Sequence, residues 1–129
     1  MNNNLGIEEI NKHDYQSIIN LLNAGKLEEA KNYASELIKK YPNDFLIFNI
    51  LGICLAKQNK HIASVENFEQ SIKLKPNFME GYFNLGNAHN NLGNPDKAVN
   101  CFKKALEIKP DYIEAQNNLG NVLFELGKT

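Results

Sequence analysis

The chain contains no arginine and no tryptophan, and only two cysteines, Cys54 and Cys101, in 129 residues. All 14 basic side chains are lysines, set against 15 acidic ones, for a net charge of −1. Without arginine there is no bidentate fork for phosphates or guanine edges. Without a basic excess there is no electrostatic footprint for nucleic acid, so no nucleic-acid partner is expected. Two cysteines are too few for a disulfide framework, which leaves a reducing, cytoplasmic setting as the expectation. No apolar run approaches the ~18 residues of a membrane span. The start, Met1-Asn2-Asn3-Asn4-Leu5, shows neither the charged nor the apolar segment of a secretory signal, and no membrane association is expected. Hydrophobic residues at 43% and charged residues at 22% match a folded chain and exclude wholesale disorder. The abundance of Asn, Lys and Ile points to AT-rich codons.

Three prolines, Pro42, Pro76 and Pro110, stand 34 residues apart, as do three glycines, Gly52, Gly86 and Gly120. Two independent series with one period make an internal repeat. The repeat divides the chain into a lead-in at 1–10, full repeats at 11–44, 45–78 and 79–112, and a half-repeat or capping helix at 113–129. Apolar residues recur at helical spacing in Phe68, Ile72 and Leu74, and in Val99, Phe102, Ala105, Leu106 and Ile108. Gly25, Asn59, Gly93 and Gly127 fall where a helix needs a left-handed residue to stop. Asn94-Pro95-Asp96 reads as an N-cap, a proline at the first helical position and an acid in the first turn. Each repeat is therefore expected to be two antiparallel helices. The A helices fall near 11–24, 45–58, 79–92 and 113–126, and the B helices near 27–40, 61–74 and 95–108. Gly52, Gly86 and Gly120 in A, with Ala30, Ser64 and Ala98 in B, permit close approach, and Phe68 and Phe102 fill the space beyond.

The pattern resembles the tetratricopeptide repeats, whose signature is W-x2-L-G-x2-Y, then A-x3-F, then P. Repeat three reads Tyr82, Leu85, Gly86, His89, Ala98, Phe102, Pro110; repeat two reads Phe48, Leu51, Gly52, Leu55, Ser64, Phe68, Pro76. The last half-repeat reads Gln116, Leu119, Gly120, Leu123. The first repeat keeps Ala30, Ala34 and Pro42 and has lost most of its first half. The resemblance implies an all-α, right-handed α-solenoid of three repeats plus one further A helix, with A helices on the concave side.

No catalytic constellation is visible. His13, His61 and His89 are scattered, and Cys54 and Cys101 lie among apolar residues as structural side chains. No phosphate loop, metal motif or carboxylate pair occurs, so no enzyme activity, cofactor or metal is expected of residues 1–129. Asparagine is the unusual feature. On the concave positions that the resemblance implies, repeat three places Glu80, Phe83, Asn84, Asn87, Asn90 and Asn91. The last helix places Glu114, Asn117, Asn118, Asn121, Phe124 and Glu125. Asn84 and Asn118 share one repeat position, and Asn87 and Asn121 another, which predicts two rows of amides along a groove. Side-chain amides suit an extended peptide, whose N–H and C=O groups need partners. Repeat two offers Ile50 and Ile53 at the equivalent places, with Leu46 and Asn49 nearby, making that end apolar. The candidate groove is Asn49, Ile53, Glu80, Phe83, Asn84, Asn87, Asn91, Asn117, Asn118 and Asn121.

The rows resemble the asparagine ladder of the cytosolic N-acetylglucosamine transferase and related bacterial repeat proteins, which implies a peptide-binding scaffold. A chaperone-type carboxylate clamp matches at Asn87 and Asn118 and departs at Phe83, where it needs lysine. Two other functions stay open. The chain could be the recruiting region of a glycosyl- or sulfotransferase whose catalytic domain lies beyond Thr129. It could instead be a self-associating scaffold that dimerises through 113–129. Leu119, Leu123 and Leu126 are expected to face a missing partner there, and the half-repeat reads as a piece of a longer protein more readily than as a polar cap.

Overall fold

Seven α-helices and no strand make up residues 10–127, the residues described by the computed structural model. They are α1 (Lys12–Asn23), α2 (Leu27–Lys40), α3 (Phe45–Lys57), α4 (His61–Leu74), α5 (Met79–Asn91), α6 (Pro95–Ile108) and α7 (Ile113–Glu125). From α3 onward the starts recur every 34 residues, at 45, 79 and 113 for one series. The other series, at 27, 61 and 95, keeps the same interval. The lead-in lies outside the described residues apart from Ile10.

Each tight turn is built by backbone chemistry. Gly25, Asn59 and Gly93 take φ of 76°, 63° and 78°, a region that costs glycine nothing and asparagine little. The reversal lets the next N–H bond back across the helix end: Lys26 to Leu21 at 2.9 Å, Lys60 to Leu55 at 2.8 Å, Asn94 to His89 at 2.8 Å. With the bonds from Gly25 to Leu22, Asn59 to Ala56 and Gly93 to Asn90, at 3.0, 3.0 and 3.1 Å, these are Schellman closures. Pro95 holds the first position of α6, but Asn94 makes no side-chain capping bond, so proline geometry and the closure start that helix.

Asp44 is the strongest cap. Its side chain accepts from Leu46 N at 2.9 Å and Ile47 N at 3.2 Å, and its other oxygen accepts from Ile10 N at 2.7 Å. One carboxylate thus satisfies the start of α3 and ties down the chain entering α1. On the opposite turns, Tyr82 Oη and Gln116 Nε2 donate to the carbonyls of Pro76 and Pro110, at 3.1 and 2.8 Å. A phenol and an amide do the same work at one repeat position.

The glycines set the depth of each hairpin. A Cβ added at Gly86 would stand 2.6 Å from the Phe102 ring, and Gly52 faces Phe68 in the same way. Ala30, Ser64 and Ala98 are wholly buried on the helices opposite. The core runs as three successive clusters, around Ile18 and Ile47, around Phe68 and Leu85, and around Phe102 and Val122. Leu119, Leu123 and Leu126 belong to the last cluster. They are half-buried and pack backwards against the cluster of Phe102 and Val122, where helical spacing alone pointed them to a missing partner. The apolar residues left exposed on α7 are Ile113 and Phe124.

Candidate functional site

Helices α3, α5 and α7 touch in sequence, each resting against the next-but-one element. Their contact is made partly by asparagine. Asn84 Nδ2 donates to Asn49 Oδ1 at 3.0 Å, and Asn118 Nδ2 donates to Asn87 Oδ1 at 2.8 Å. The amides therefore pair diagonally between helices, where the sequence suggested parallel rows. Asn84 and Asn118 occupy the same repeat position, but their partners differ by one helical turn. Ile53 takes the place in α3 that Asn87 takes in α5, so Asn84 reaches Asn49 four residues earlier. In α5 that earlier place is Phe83, so Asn118 takes Asn87.

Each pair uses one donor and one acceptor of two bifunctional amides. The donors of Asn49 and Asn87 and the acceptors of Asn84 and Asn118 stay outside these two bonds. Asn49 is buried, while Asn84, Asn87 and Asn118 are partly exposed. Asn91, Asn117 and Asn121 are exposed and stand apart from both pairs. Ile53 packs against the cluster of Phe68, Leu85 and Ala88. Phe83 also turns inward, its ring centroid 5.9 Å from that of Phe102 and 5.0 Å from that of Tyr112. Both apolar candidates are thus mainly core side chains.

Tyr112 is a site residue that helix positions did not reach, because it precedes α7 in the connection after Pro110. Its hydroxyl is pushed up to about 12 by burial, with Glu114 and Glu80 adding to it. The phenol therefore sits among two carboxylates, and Glu80 and Glu114 are both exposed. This part of the surface carries two carboxylates and a hydrogen-bonding aromatic, with Lys109 Nζ 5.7 Å from the same ring centroid.

Burial also shifts two thiols and one imidazole. Cys54 is buried and Cys101 partly buried, both free. Burial raises both thiols, Cys101 to about 11, which keeps them un-ionised and poorly nucleophilic. Among the described residues no group of three or more His, Cys, Asp or Glu is placed to hold a metal ion. His89 is 7% exposed and its Nδ1 has no hydrogen-bond partner. Burial holds its pKa below the usual 6.5, and Lys97 lowers it further while Glu69 opposes. The unfolded chain therefore takes up this proton first as pH falls. Stability from His89 is complete above about pH 6.5 and is lost on acidification below it. The denaturant midpoint should fall between about pH 7.5 and about pH 5.5, and less so in His89→Phe.

Comparison with known proteins agrees with this architecture. Tetratricopeptide-repeat family models match residues 15–44, 80–112 and 101–129, and a TPR-repeat model matches residues 54–93. This chain is built of tetratricopeptide repeats. Among curated relatives, the Hsp70-Hsp90 organizing protein of Triticum aestivum is 30% identical over 76 residues, 59% of this chain and 13% of that protein. The peroxisomal targeting signal receptor of Candida glabrata is 34% identical over 56 residues, 43% of this chain and 10% of that protein. The repeat array thus spans about a tenth of the length of these relatives. Among solved structures, the first TPR of Spaghetti (RPAP3), bound to the HSP90 peptide SRMEEVD, superposes with a TM-score of 0.87 at 16% identity. That match covers 96% of this chain and 99% of that one. MamA 41-end from Desulfovibrio magneticus RS-1 gives 0.82 at 23% identity, covering 89% of this chain and 65% of that one. Identities this low show a shared fold. No helix among the described residues is long and apolar enough to cross a membrane.

Proposed function

We propose that the face formed by α3, α5 and α7 binds an extended segment of a partner protein, and that the chain serves as a protein-interaction scaffold. The observation that carries this reading is the two cross-helix amide pairs, Asn84–Asn49 and Asn118–Asn87. Each pair fixes the orientation of its side chains, and the half-exposed Asn118–Asn87 pair leaves a donor and an acceptor for a peptide main chain. Preorganised amides bind without losing rotamer freedom at the moment of binding. The similarity to the Hsp70-Hsp90 organizing protein and to a TPR structure that holds a peptide supports the same reading.

The amide pairs act here as an asparagine ladder with diagonal rungs. The bound segment is internal to its protein rather than a free C-terminus. Phe83 stands where a carboxylate clamp needs lysine and is packed against Phe102. Glu80 and Glu114 both act on Tyr112, whose ring centroid lies 5.7 Å from Lys109 Nζ. The ligand is accordingly neutral or basic.

The test is selection of peptides from a random displayed library on the chain and on its Asn87→Ala/Asn118→Ala variant. Removing both members of a pair leaves no unpaired partner, so the fold should lose little, about 1 kcal/mol or less. Wild-type enrichment of neutral or basic sequences, lost on the variant while its helix content and melting curve persist, supports the groove. Enrichment of the same sequences on both proteins places the binding surface elsewhere.

A further inference from the structure

The two amide pairs run in one sense. In each, the later helix donates and the earlier helix accepts: Asn118 of α7 to Asn87 of α5, and Asn84 of α5 to Asn49 of α3. What the pairs leave over is therefore ordered along the array. The unused carbonyl oxygens belong to the later helix, at Asn118 and Asn84. The unused amino groups belong to the earlier one, at Asn87 and Asn49. Among the described residues, the buried side-chain nitrogen and oxygen atoms without a partner are Nδ1 of His61 and Nδ1 of His89. None of the four unused amide ends is among them, so each reaches solvent. Access is best at the Asn118–Asn87 pair, where both residues are half-buried, whereas Asn49 is 8% exposed.

An extended main chain has a direction that such a pair can read. The N–H and C=O of one residue point to the same side of the strand and are bonded as a couple. The N–H lies on the N-terminal side of that residue and the C=O on its C-terminal side. Over the Asn118–Asn87 pair, the N–H has to meet Asn118 Oδ1 and the C=O has to meet Asn87 Nδ2. The opposite direction sets N–H against the amino group and C=O against the carbonyl oxygen, and neither bond forms. The Asn84–Asn49 pair repeats the same choice one helix earlier.

We propose that the bound segment runs against the array, its N-terminal end over α7 and its C-terminal end toward α3. This rests on the peptide-binding reading above and adds a direction to it. Packed helix axes lie about 8–10 Å apart, so the crossing from α7 to α3 spans roughly 16–20 Å. That is about five or six extended residues.

The test takes an uncharged peptide recovered from the displayed library on the full 129-residue chain. It is resynthesised with a nitroxide at one end or the other, and the backbone amide signals of the chain are followed by NMR. The N-terminal nitroxide should broaden signals of residues 117–121 in α7, and the C-terminal one those of residues 49–53 in α3. The swapped pattern overturns the direction and leaves the groove reading standing. Broadening confined to other helices, or a library that yields no binder, overturns both. Asn87→Asp checks the sense of the pair by a separate route. The carboxylate still accepts from Asn118 but has no N–H for a peptide carbonyl. Affinity for the same peptide should fall about tenfold or more while the melting curve holds. Asn118→Asp removes the donor of the pair and should lower the melting curve as well. An Asn87→Asp chain that binds like the wild type overturns the proposal.

Discussion

Phe102→Ala should lower the unfolding free energy by about 3–5 kcal/mol, the usual loss for a fully buried aromatic ring. Phe102 has no exposed surface. Its ring lies over Gly86, touches Phe83 and belongs to the cluster with Ala98, Val99 and Val122. The cavity would open where α5, α6 and α7 meet, and two rigid helix backbones limit its collapse. A loss of that size is a large part of the about 5–15 kcal/mol available to a domain. Urea unfolding followed by far-ultraviolet circular dichroism measures it. A loss below about 1 kcal/mol would mean that the hairpin closes without the ring.

Gly86→Ala should also destabilise, for the opposite reason. The new methyl would lie 2.6, 2.8 and 3.0 Å from three atoms of the Phe102 ring. Because that ring is fully buried, it has no solvent side to move toward. Overpacking of this kind costs about 1–3 kcal/mol, against about 1 kcal/mol returned by the better helix former. The identical change at Gly120 meets open space and should stabilise by up to about 1 kcal/mol, measured where the chain is monomeric. Combining Gly86→Ala with Phe102→Ala completes the test. Once the ring is gone the methyl fills part of the cavity, so the two losses should fall short of adding by about 1–3 kcal/mol. Simple additivity would show that ring and glycine are energetically independent.

Much of this arrangement is legible in the sequence because the repeat carries its own punctuation. Gly25, Asn59 and Gly93 mark turns whose backbone other residues resist, and all three adopt positive φ. The pairing of Gly52 with Phe68 and of Gly86 with Phe102 follows from spacing and size. Other features depend on geometry that spacing does not encode. Leu119, Leu123 and Leu126 recur at helical intervals, but periodicity cannot say whether a face looks back to α6 or outward. Packing answers it: all three lie half-buried against the cluster of Phe102 and Val122. The asparagines were expected to align by repeat position. Instead Asn84 and Asn118 choose partners according to what stands one turn away, isoleucine in one case and phenylalanine in the other. Tyr112 escaped notice because it lies in a connection, where no periodic rule operates. Asp44 shows the same limit. Its capping role is a local pattern, while its bond to Ile10, 34 residues away, exists only in the folded chain.

The succession of contacts along the array has a kinetic meaning. Every substantial contact between described helices joins elements adjacent in the chain or one element apart. No segment has to wait for a distant one before it can pack, and loops of only a few residues need closing at each step. A nascent chain leaving the ribosome could therefore bury Phe68 against Gly52 while α5 is still being made. The order of synthesis and the order of assembly then run in the same direction, and apolar surface is exposed for only one hairpin at a time.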